Sequence, residues 1–159
     1  MAGMGKRMRP HTLTTPKPLL PIAGKPIVQR LVEDIAELSH EPIEEIAFII
    51  GDFGEETEQH LLAIAKELGA KGTICYQKEA LGTAHAILCA KDALKGKVIV
   101  AFADTLFKAN FKLKDDQDGV LWVQKIENPE QFGVVQLDAK GHIVEFIEKP
   151  KAFVSDLAM

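Results

Sequence analysis

Residues 3–25 read GMGKRMRPHTLTTPKPLLPIAGK, and this stretch decides how the rest of the chain is interpreted. It combines glycines, prolines and cations, and it contains no acidic residue. Glycine turns bring backbone amides close to a ligand, and amides together with cations bind dense anions such as phosphate. The stretch therefore predicts a phosphate-binding loop. Taken alone, it is also compatible with a flexible basic terminus.

Two common phosphate motifs are excluded. The dinucleotide-binding fingerprint requires a third glycine, and Met8 stands at that place. A Walker A loop requires Ser or Thr after Gly-Lys, and Arg7 follows Gly5-Lys6. What remains is a short glycine turn followed by cations.

Composition narrows the class of protein. The chain has 159 residues, of which 47% are hydrophobic, and this predicts one soluble globular domain over residues 1–159. A net charge of -4 argues against general nucleic-acid affinity. No apolar run reaches the ~18 residues of a membrane span, and no signal peptide is evident, so we expect a cytoplasmic protein. Cys75 and Cys89 are predicted to be buried free thiols rather than a disulfide or metal pair.

The first two thirds of the chain alternate between helical and strand-like patterns. The predicted elements are helices over residues 25–38, 55–68 and 83–93, and buried strands over residues 45–50, 73–77 and 98–103. This order predicts an α/β fold of three α/β/α layers, Rossmann-like, with a mostly parallel sheet.

In the last third of the chain, the alternation of helical and strand-like patterns ends. Strand patterns over residues 119–125, 133–137 and 142–147 follow one another without a helix, and residues 138–141 (DAKG) are typical of a hairpin turn. We therefore expect antiparallel strands in the second half of the chain.

Several short motifs occur in a characteristic order. They are residues 3–10 (GMGKRMRP) with 16–21 (PKPLLP) and 24–26 (GKP), residues 80–84 (ALGTA), residues 103–107 (ADTLF), residues 132–134 (FGV) and residues 148–150 (EKP). Together they resemble the signature of the sugar-phosphate nucleotidyltransferases, the nucleoside-diphosphate-sugar pyrophosphorylases that include glucose-1-phosphate thymidylyltransferases and mannose-1-phosphate guanylyltransferases.

Four features depart from the family pattern. Lys6 stands where the family usually has Thr, and Ala103 where it often has Gly. The family's first strand and its second metal-binding aspartate have no counterpart here. The resemblance thus predicts a nucleotidyltransferase domain that is truncated at both ends.

The resemblance implies a reaction between a nucleoside triphosphate and a sugar 1-phosphate that gives a nucleotide-sugar and pyrophosphate. The attacking phosphate oxygen is already anionic at pH 7, because the second pKa of a phosphate group is ~6. No general base is required, and catalysis depends on positioning two polyanions and neutralising charge.

The resemblance implies catalytic roles for Arg7 and Lys17. The Arg7 fork suits the α-phosphate and the leaving pyrophosphate, and prolines on both sides restrain Lys17. Asp104 would hold Mg²⁺ against the triphosphate. The alternatives are a solvent lysine in a rigid turn and a capping aspartate. Gly3, Gly5 and Lys6 complete the expected triphosphate contacts.

The remaining predicted contacts concern the base and the sugar phosphate. Gln77 and Gly82 are expected at the base, and Gly133, Glu148 and Lys149 at the sugar phosphate. The alternatives are an exposed strand end for Gln77, a β-bulge for Gly133, and a solvated strand end for the charged pair. His11 and His85 lie near these segments and are interpreted as surface or helix-packing residues.

The favoured function is therefore a Mg²⁺-dependent sugar-1-phosphate nucleotidyltransferase. The alternative is a nucleotide-sugar-binding regulatory protein, or a catalytically silent homologue or fragment. Because Arg7, Lys17 and Asp104 are all present, the enzyme is favoured. The motifs do not identify the base or the sugar, and an unpaired sheet edge would allow a homo-oligomer.

Overall fold

The computed structural model describes residues 10, 15–109, 112–113 and 117–159. The chain divides into two units, residues 1–113 and 114–159. The expectation of one domain over residues 1–159 stays a prediction. The first unit contains helices α1 (Ile27–Leu38), α2 (Glu55–Glu67) and α3 (Thr83–Cys89), and strands β1 (Pro21–Ile22), β2 (Lys25–Pro26), β3 (Glu45–Ile50) and β4 (Lys71–Tyr76). The second contains β5 (Gln124–Lys125), β6 (Gly133–Leu137), β7 (Ile143–Glu148) and β8 (Leu157–Ala158).

Helix α1 confirms the helical pattern expected after the N-terminal loop. Its apolar residues recur every three or four positions and form one buried face: Ile27, Val28, Leu31, Val32, Ile35 and Leu38. The helix begins two residues later than expected because residues 25 and 26 form β2, which pairs with β1 in a short hairpin.

Helix α2 has well-defined ends. Glu55, Glu56 and Glu58 occupy its first turn, where carboxylates interact favourably with the helix dipole. At the other end, the Gly69 N–H donates to the Lys66 carbonyl and the Ala70 N–H to the Ala65 carbonyl, which is the Schellman pattern. The predicted helix over residues 55–68 is thus confirmed, and the chain turns directly into β4.

Strands β3 and β4 form the parallel part of the fold. They pair in register from Glu45 opposite Lys71 to Ile50 opposite Tyr76. The main core packs against them and contains Leu19, Val28, Val32, Phe48, Ile50, Leu61, Ile64, Ala65 and Ala103. The α1–β3–α2–β4 sequence of elements confirms the βα alternation predicted for this region.

The prediction of a buried strand over residues 98–103 is wrong. No strand forms there, and Val98, Ile99, Val100 and Phe102 are between 38% and 56% exposed. A strand needs a neighbour that completes its backbone hydrogen bonds. Among the described residues, no strand pairs with this segment, so its backbone groups lack ladder partners and no strand is formed.

Helix α3 is shorter than predicted. It ends at Cys89, and a separate 3₁₀ turn covers Lys91–Ala93. Cys75 and Cys89 are free thiols, as expected, although each is only partly buried rather than fully buried. Partial burial, and to a smaller extent the neighbouring Cys89, raise the pKa of the Cys75 thiol.

The second unit is built on an antiparallel hairpin. Strands β6 and β7 pair from Gly133 opposite Glu148 to Leu137 opposite Ile143, and β8 lies between β5 and β6. This confirms the strands predicted over residues 133–137 and 142–147. The strand predicted over residues 119–125 is wrong except at its last two residues, which form β5.

Asp138 organises the hairpin turn. Its Oδ1 accepts hydrogen bonds from the backbone N–H groups of Lys140 (2.8 Å) and His142 (2.9 Å). These bonds hold the pKa of the Asp138 carboxyl below its ordinary value, the His142 N–H having the largest effect. The turn predicted over residues 138–141 is confirmed.

Throughout the part of the chain that the structure describes, no helix combines the length and the apolar character needed to cross a membrane.

Candidate functional site

The predicted site residues fall into three groups. Gly3, Gly5, Lys6 and Arg7 lie outside the described residues. Lys17, Gln77, Gly82 and Asp104 lie in the first unit, and Gly133, Glu148 and Lys149 lie in the second.

Lys17 is held by the local backbone. It begins a 3₁₀ turn, Lys17–Leu19, in which the Leu19 N–H donates to the Pro16 carbonyl at 2.8 Å. Pro18 and Leu19 are buried, and proline on each side of the lysine restricts the backbone. The backbone that carries the Lys17 side chain is therefore already ordered.

Asp104 lies in a turn rather than at the end of a strand. The Thr105 N–H donates to the Phe102 carbonyl at 3.1 Å, and this closes the turn. The preceding residue, Ala103, is buried in the main core and anchors the turn there. Alanine is thus accommodated at the position where the family often has glycine.

The structure brings Lys17 and Asp104 together. Lys17 Nζ donates to Asp104 Oδ2 at 3.0 Å. The side chains are 30% and 52% exposed respectively, so solvent screens the pair and its contribution to stability is below about 1 kcal/mol. An interaction this weak can be exchanged for phosphate or metal contacts when a ligand binds.

The donor chemistry around Asp104 suits a magnesium ion that arrives with a nucleotide. Among the described residues, no three His, Cys, Asp or Glu side chains cluster in a way that could hold a metal by themselves. Mg²⁺ is commonly held by one or two carboxylates together with substrate phosphates and water. A single half-exposed aspartate, Asp104, could supply one such carboxylate.

Gln77 is buried at the end of β4 and makes the most specific contacts of the predicted residues. Its backbone N–H donates to the Ile50 carbonyl at 2.8 Å. Its side-chain Nε2 donates to the Gly82 carbonyl at 3.0 Å and lies 3.2 Å from His85 Nδ1. With only 8% of the residue exposed, the exposed strand end considered from the sequence is wrong.

Gly82 has a backbone that requires glycine. Its φ of 94° and ψ of -178° place it in a region that residues with a Cβ rarely adopt. This conformation directs its carbonyl toward both Gln77 and the Ala86 N–H, and it opens helix α3. The structure thus connects the two predicted base contacts through a direct hydrogen bond.

Arg30 was not selected from the sequence, and His85 was interpreted there as a surface or helix-packing residue. Arg30 Nε donates to the Ile22 carbonyl and Arg30 Nη2 to the Ala23 carbonyl, both at 2.7 Å. These bonds hold the turn between β1 and β2, where Ala23 has a φ of 47° that is unfavourable for alanine. The available signal was an arginine in the first turn of the predicted helix, shortly after a Pro-Ile-Ala-Gly turn.

A cleft of about 380 Å³ lies between this turn, α1 and the segment that follows Asp104. Its lining residues are Ile22, Ala23, Arg30, Glu33, Asp34, Leu106, Phe107 and Lys108. A hydrogen bond from Lys25 holds the pKa of the Glu33 carboxyl below its ordinary value.

In the second unit, Gly133, Glu148 and Lys149 lie at one end of the β6–β7 hairpin. Gly133 is paired with Glu148 across the strands. A Cβ on Gly133 would lie 2.5 Å from Met159 Cε and 2.9 Å from Glu148 Oε2. Glycine therefore allows the Glu148 carboxylate to approach the backbone. The bulge in this hairpin lies at Gln136 and Leu137, away from Gly133.

Lys149 has an unusual backbone for its residue type. Its φ is 46°, and its N–H donates to the Phe132 carbonyl at 3.1 Å. Its ammonium lies 3.8 Å from Glu148 Oε1, and both side chains are more than 60% exposed. Strain of this kind is frequent at functional sites, where the structure fixes the direction of a side chain.

Comparison with known proteins gives consistent results. The sequence matches the nucleotidyl transferase family over residues 1–159. It is 37% identical to the low-salt glycan biosynthesis nucleotidyltransferase Agl11 of Haloferax volcanii, over 99% of this chain and 45% of that protein. It is 34% identical to the mannose-1-phosphate guanylyltransferase catalytic subunit beta of Drosophila melanogaster, over 98% of this chain and 44% of that protein. The chain thus spans less than half the length of these two relatives.

A solved structure of an apo UDP-glucose pyrophosphorylase is similar in fold. It is 25% identical in sequence, with a TM-score of 0.71 over 99% of this chain and 71% of that chain. The likeness confirms the predicted α/β fold class.

Proposed function

Because the chain belongs to the sugar-phosphate nucleotidyltransferase family, as its motifs predicted, we propose that it transfers a nucleotidyl group from a nucleoside triphosphate to a sugar 1-phosphate. The products are a nucleotide-sugar and pyrophosphate. The observation that carries this proposal is the contact between Lys17 Nζ and Asp104 Oδ2. It supports the proposal because it places the cation that we assign to phosphate beside the carboxylate that we assign to Mg²⁺.

The reaction balances without a proton transfer. An oxygen of the sugar 1-phosphate attacks the α-phosphorus and forms a new phosphorus–oxygen bond. The bond between the α-phosphorus and the bridging oxygen breaks, and pyrophosphate leaves with the electron pair. The barrier comes from bringing anions together, so the protein contributes orientation and positive charge.

Lys17 and Asp104 have different proposed roles at the triphosphate. Lys17 contributes a fixed ammonium group at the transferring phosphate, and Arg7, with Gly3, Gly5 and Lys6, is assigned to the same polyanion. Asp104 would hold Mg²⁺, which when bound neutralises triphosphate charge. In the ligand-free protein, the pair satisfies each partner's charge until substrate replaces it.

The other predicted residues are assigned to the rest of the substrates. Gln77 and Gly82 are assigned to the nucleoside base. Gly133, Glu148 and Lys149 are assigned to the sugar 1-phosphate: the carboxylate would accept hydrogen bonds from sugar hydroxyls, and the ammonium would pair with the phosphate. We also propose a cytoplasmic location, which the absence of an evident signal peptide in the sequence favours.

Pyrophosphate release tests the proposal. The purified protein is incubated with Mg²⁺, one of five nucleoside triphosphates (ATP, CTP, GTP, UTP, dTTP) and either glucose 1-phosphate or mannose 1-phosphate. We expect one nucleotide to support release that depends on the sugar phosphate, and the same nucleotide to raise the melting temperature. Release that is independent of sugar phosphate, or no response to any nucleotide, would contradict the proposed function.

A further inference from the structure

The side-chain amide of Gln77 is held by two partners at once. Its nitrogen contacts the Gly82 carbonyl at 3.0 Å and His85 Nδ1 at 3.2 Å. The residue is buried, and its backbone is fixed to β3 through the Ile50 carbonyl. The amide therefore has little freedom to turn over.

The chemistry of these partners determines which amide atom occupies each place. A carbonyl oxygen only accepts hydrogen bonds, so the Gln77 atom facing Gly82 must be the nitrogen. The second N–H of that nitrogen is then available to His85 Nδ1, which must be an unprotonated acceptor. The ring proton of neutral His85 therefore lies on Nε2.

One consequence concerns what Gln77 can offer to a ligand. Both N–H groups of its amide are engaged by Gly82 and His85, and among the described residues no hydrogen bond occupies Oε1. An amide in general donates as readily as it accepts, but this one can only accept. It selects a ligand edge that presents an N–H group, and it disfavours an edge that presents a lone pair.

We propose that His85 is a positioning residue that fixes the Gln77 amide so that only its oxygen is available to the nucleoside base. This inference rests on the proposed function, in which Gln77 contacts the base. Without the acceptor at residue 85, one amide N–H is released. Gln77 then has both a donor and an acceptor to offer, and nucleotide selectivity falls.

The primary variant is His85→Leu, which removes the hydrogen-bond acceptor and puts an apolar side chain in its place on α3. We expect the KM for the preferred nucleotide to rise ~10-fold, the effect of about one hydrogen bond. The preference among the five nucleotides should narrow, while the KM for the sugar 1-phosphate and the kcat stay near wild type. A merely structural role would instead lower the melting temperature without changing the order of nucleotides.

Two further variants make the test specific. His85→Asn places an amide oxygen near the position of Nδ1 and should restore wild-type selectivity. His60→Leu, on the exposed part of α2, is the matched control and should change nothing. If His85→Asn is as defective as His85→Leu, the acceptor is not what matters and the inference is wrong.

A double-mutant cycle then separates a direct contact from positioning. If His85 acts through Gln77, His85→Leu should have no further effect on nucleotide KM in a Gln77→Ala background. Additive effects would overturn the inference while leaving the proposed function intact. A wild-type protein that responds to no nucleotide would instead overturn the proposed function, and with it this inference.

Discussion

Lys17 Nζ lies 3.0 Å from Asp104 Oδ2, although the two residues are 87 positions apart in the chain. The lysine is anchored by a proline-flanked 3₁₀ turn, and the aspartate by a turn whose preceding alanine is buried in the core. Because neither anchor depends on the ion pair itself, the two charges should stay close when the pair opens. This arrangement suits a site in which both charges are redirected to a substrate.

Replacing Lys17 by Ala should separate function from stability. We expect kcat/KM to fall by ~100-fold or more, since a charge aimed at the transferring phosphate is removed. The free energy of unfolding should change by less than about 1 kcal/mol, because the pair is partly exposed. Steady-state kinetics and urea denaturation measure the two quantities.

Lys25→Ala is the matched control for this variant. Lys25 pairs with Glu33 at 2.9 Å with similar exposure, so its loss should cost a similar amount of stability and leave activity unchanged. Equal loss of activity in both variants would show that Lys17 has no special role.

Replacing Asp104 by Asn should weaken the response to magnesium. A neutral amide binds Mg²⁺ poorly, and we expect the concentration for half-maximal activity to rise at least ~10-fold. Titration of Mg²⁺ at saturating nucleotide provides the measurement, and removal of the metal with EDTA should abolish wild-type turnover. Asp34→Asn, in the neighbouring cleft, is the control. An unchanged Mg²⁺ titration for Asp104→Asn would assign the metal to another residue.

Replacing Gly133 by Ala should move Glu148 without unfolding the hairpin. The new Cβ would collide with Met159 Cε and Glu148 Oε2, which are the far ends of flexible side chains. Rearranging them should cost about 1 kcal/mol or less. Displacing the carboxylate should raise the KM for sugar 1-phosphate ~10-fold or more.

Gly119→Ala provides the comparison, because a Cβ at that position meets no atom within 4 Å. The two variants should have similar melting temperatures in thermal unfolding. Only Gly133→Ala should have a raised KM for sugar 1-phosphate. Identical KM values would mean that the close approach at Gly133 serves packing alone.

Lys149 allows backbone strain and charge to be tested apart. Lys149→Gly relieves the left-handed φ of 46°, whereas Lys149→Ala keeps it, so the glycine variant should be more stable than the alanine variant by about 1 kcal/mol. Both remove the ammonium and should raise the KM for sugar 1-phosphate equally. Chemical denaturation gives the first difference. If the glycine variant is less stable than the alanine variant, the backbone at residue 149 is not strained.

Asp138 predicts how the second unit responds to acid. Its pKa is lower in the folded state than the ordinary value of 3.8, because backbone N–H groups bind its ionised form. A lowered folded pKa stabilises the hairpin above the ordinary pKa, and this contribution is lost as pH falls through the folded value. Asp138→Asn keeps an acceptor oxygen but does not titrate. When the free energy of unfolding is measured between pH 7 and about 2.5, it should therefore fall less steeply in the variant than in the wild type. If the two pH curves are parallel, Asp138 is not the source of the acid sensitivity.

Much of the fold was predictable because it depends on local pattern. The buried face of α1 and the turn at Asp138 follow from residues close in sequence. Residues 98–103 show the limit of such reasoning. Their apolar sequence is typical of a buried strand. Whether a strand forms also depends on a neighbouring strand that completes its hydrogen bonds, and the apolar sequence does not specify one.

The candidate site shows the same division. Lys17 and Asp104 could be chosen from motifs, although their contact could not, since it depends on how two distant turns pack. His85 was interpreted as a surface or helix-packing residue because a single histidine on a short helix carries little information. Its contact with the Gln77 amide depends on how the chain turns between β4 and α3, which the sequence does not specify.

The apolar segment at residues 98–103 also has a practical consequence for anyone who purifies this chain. Four of its large side chains face solvent, and within the described residues β3, in the same unit, pairs with β4 alone. An open strand edge and exposed apolar groups both promote association between molecules. Association between molecules should therefore limit the highest protein concentration that can be reached in solution. Mild detergent or arginine in the buffer should raise that concentration.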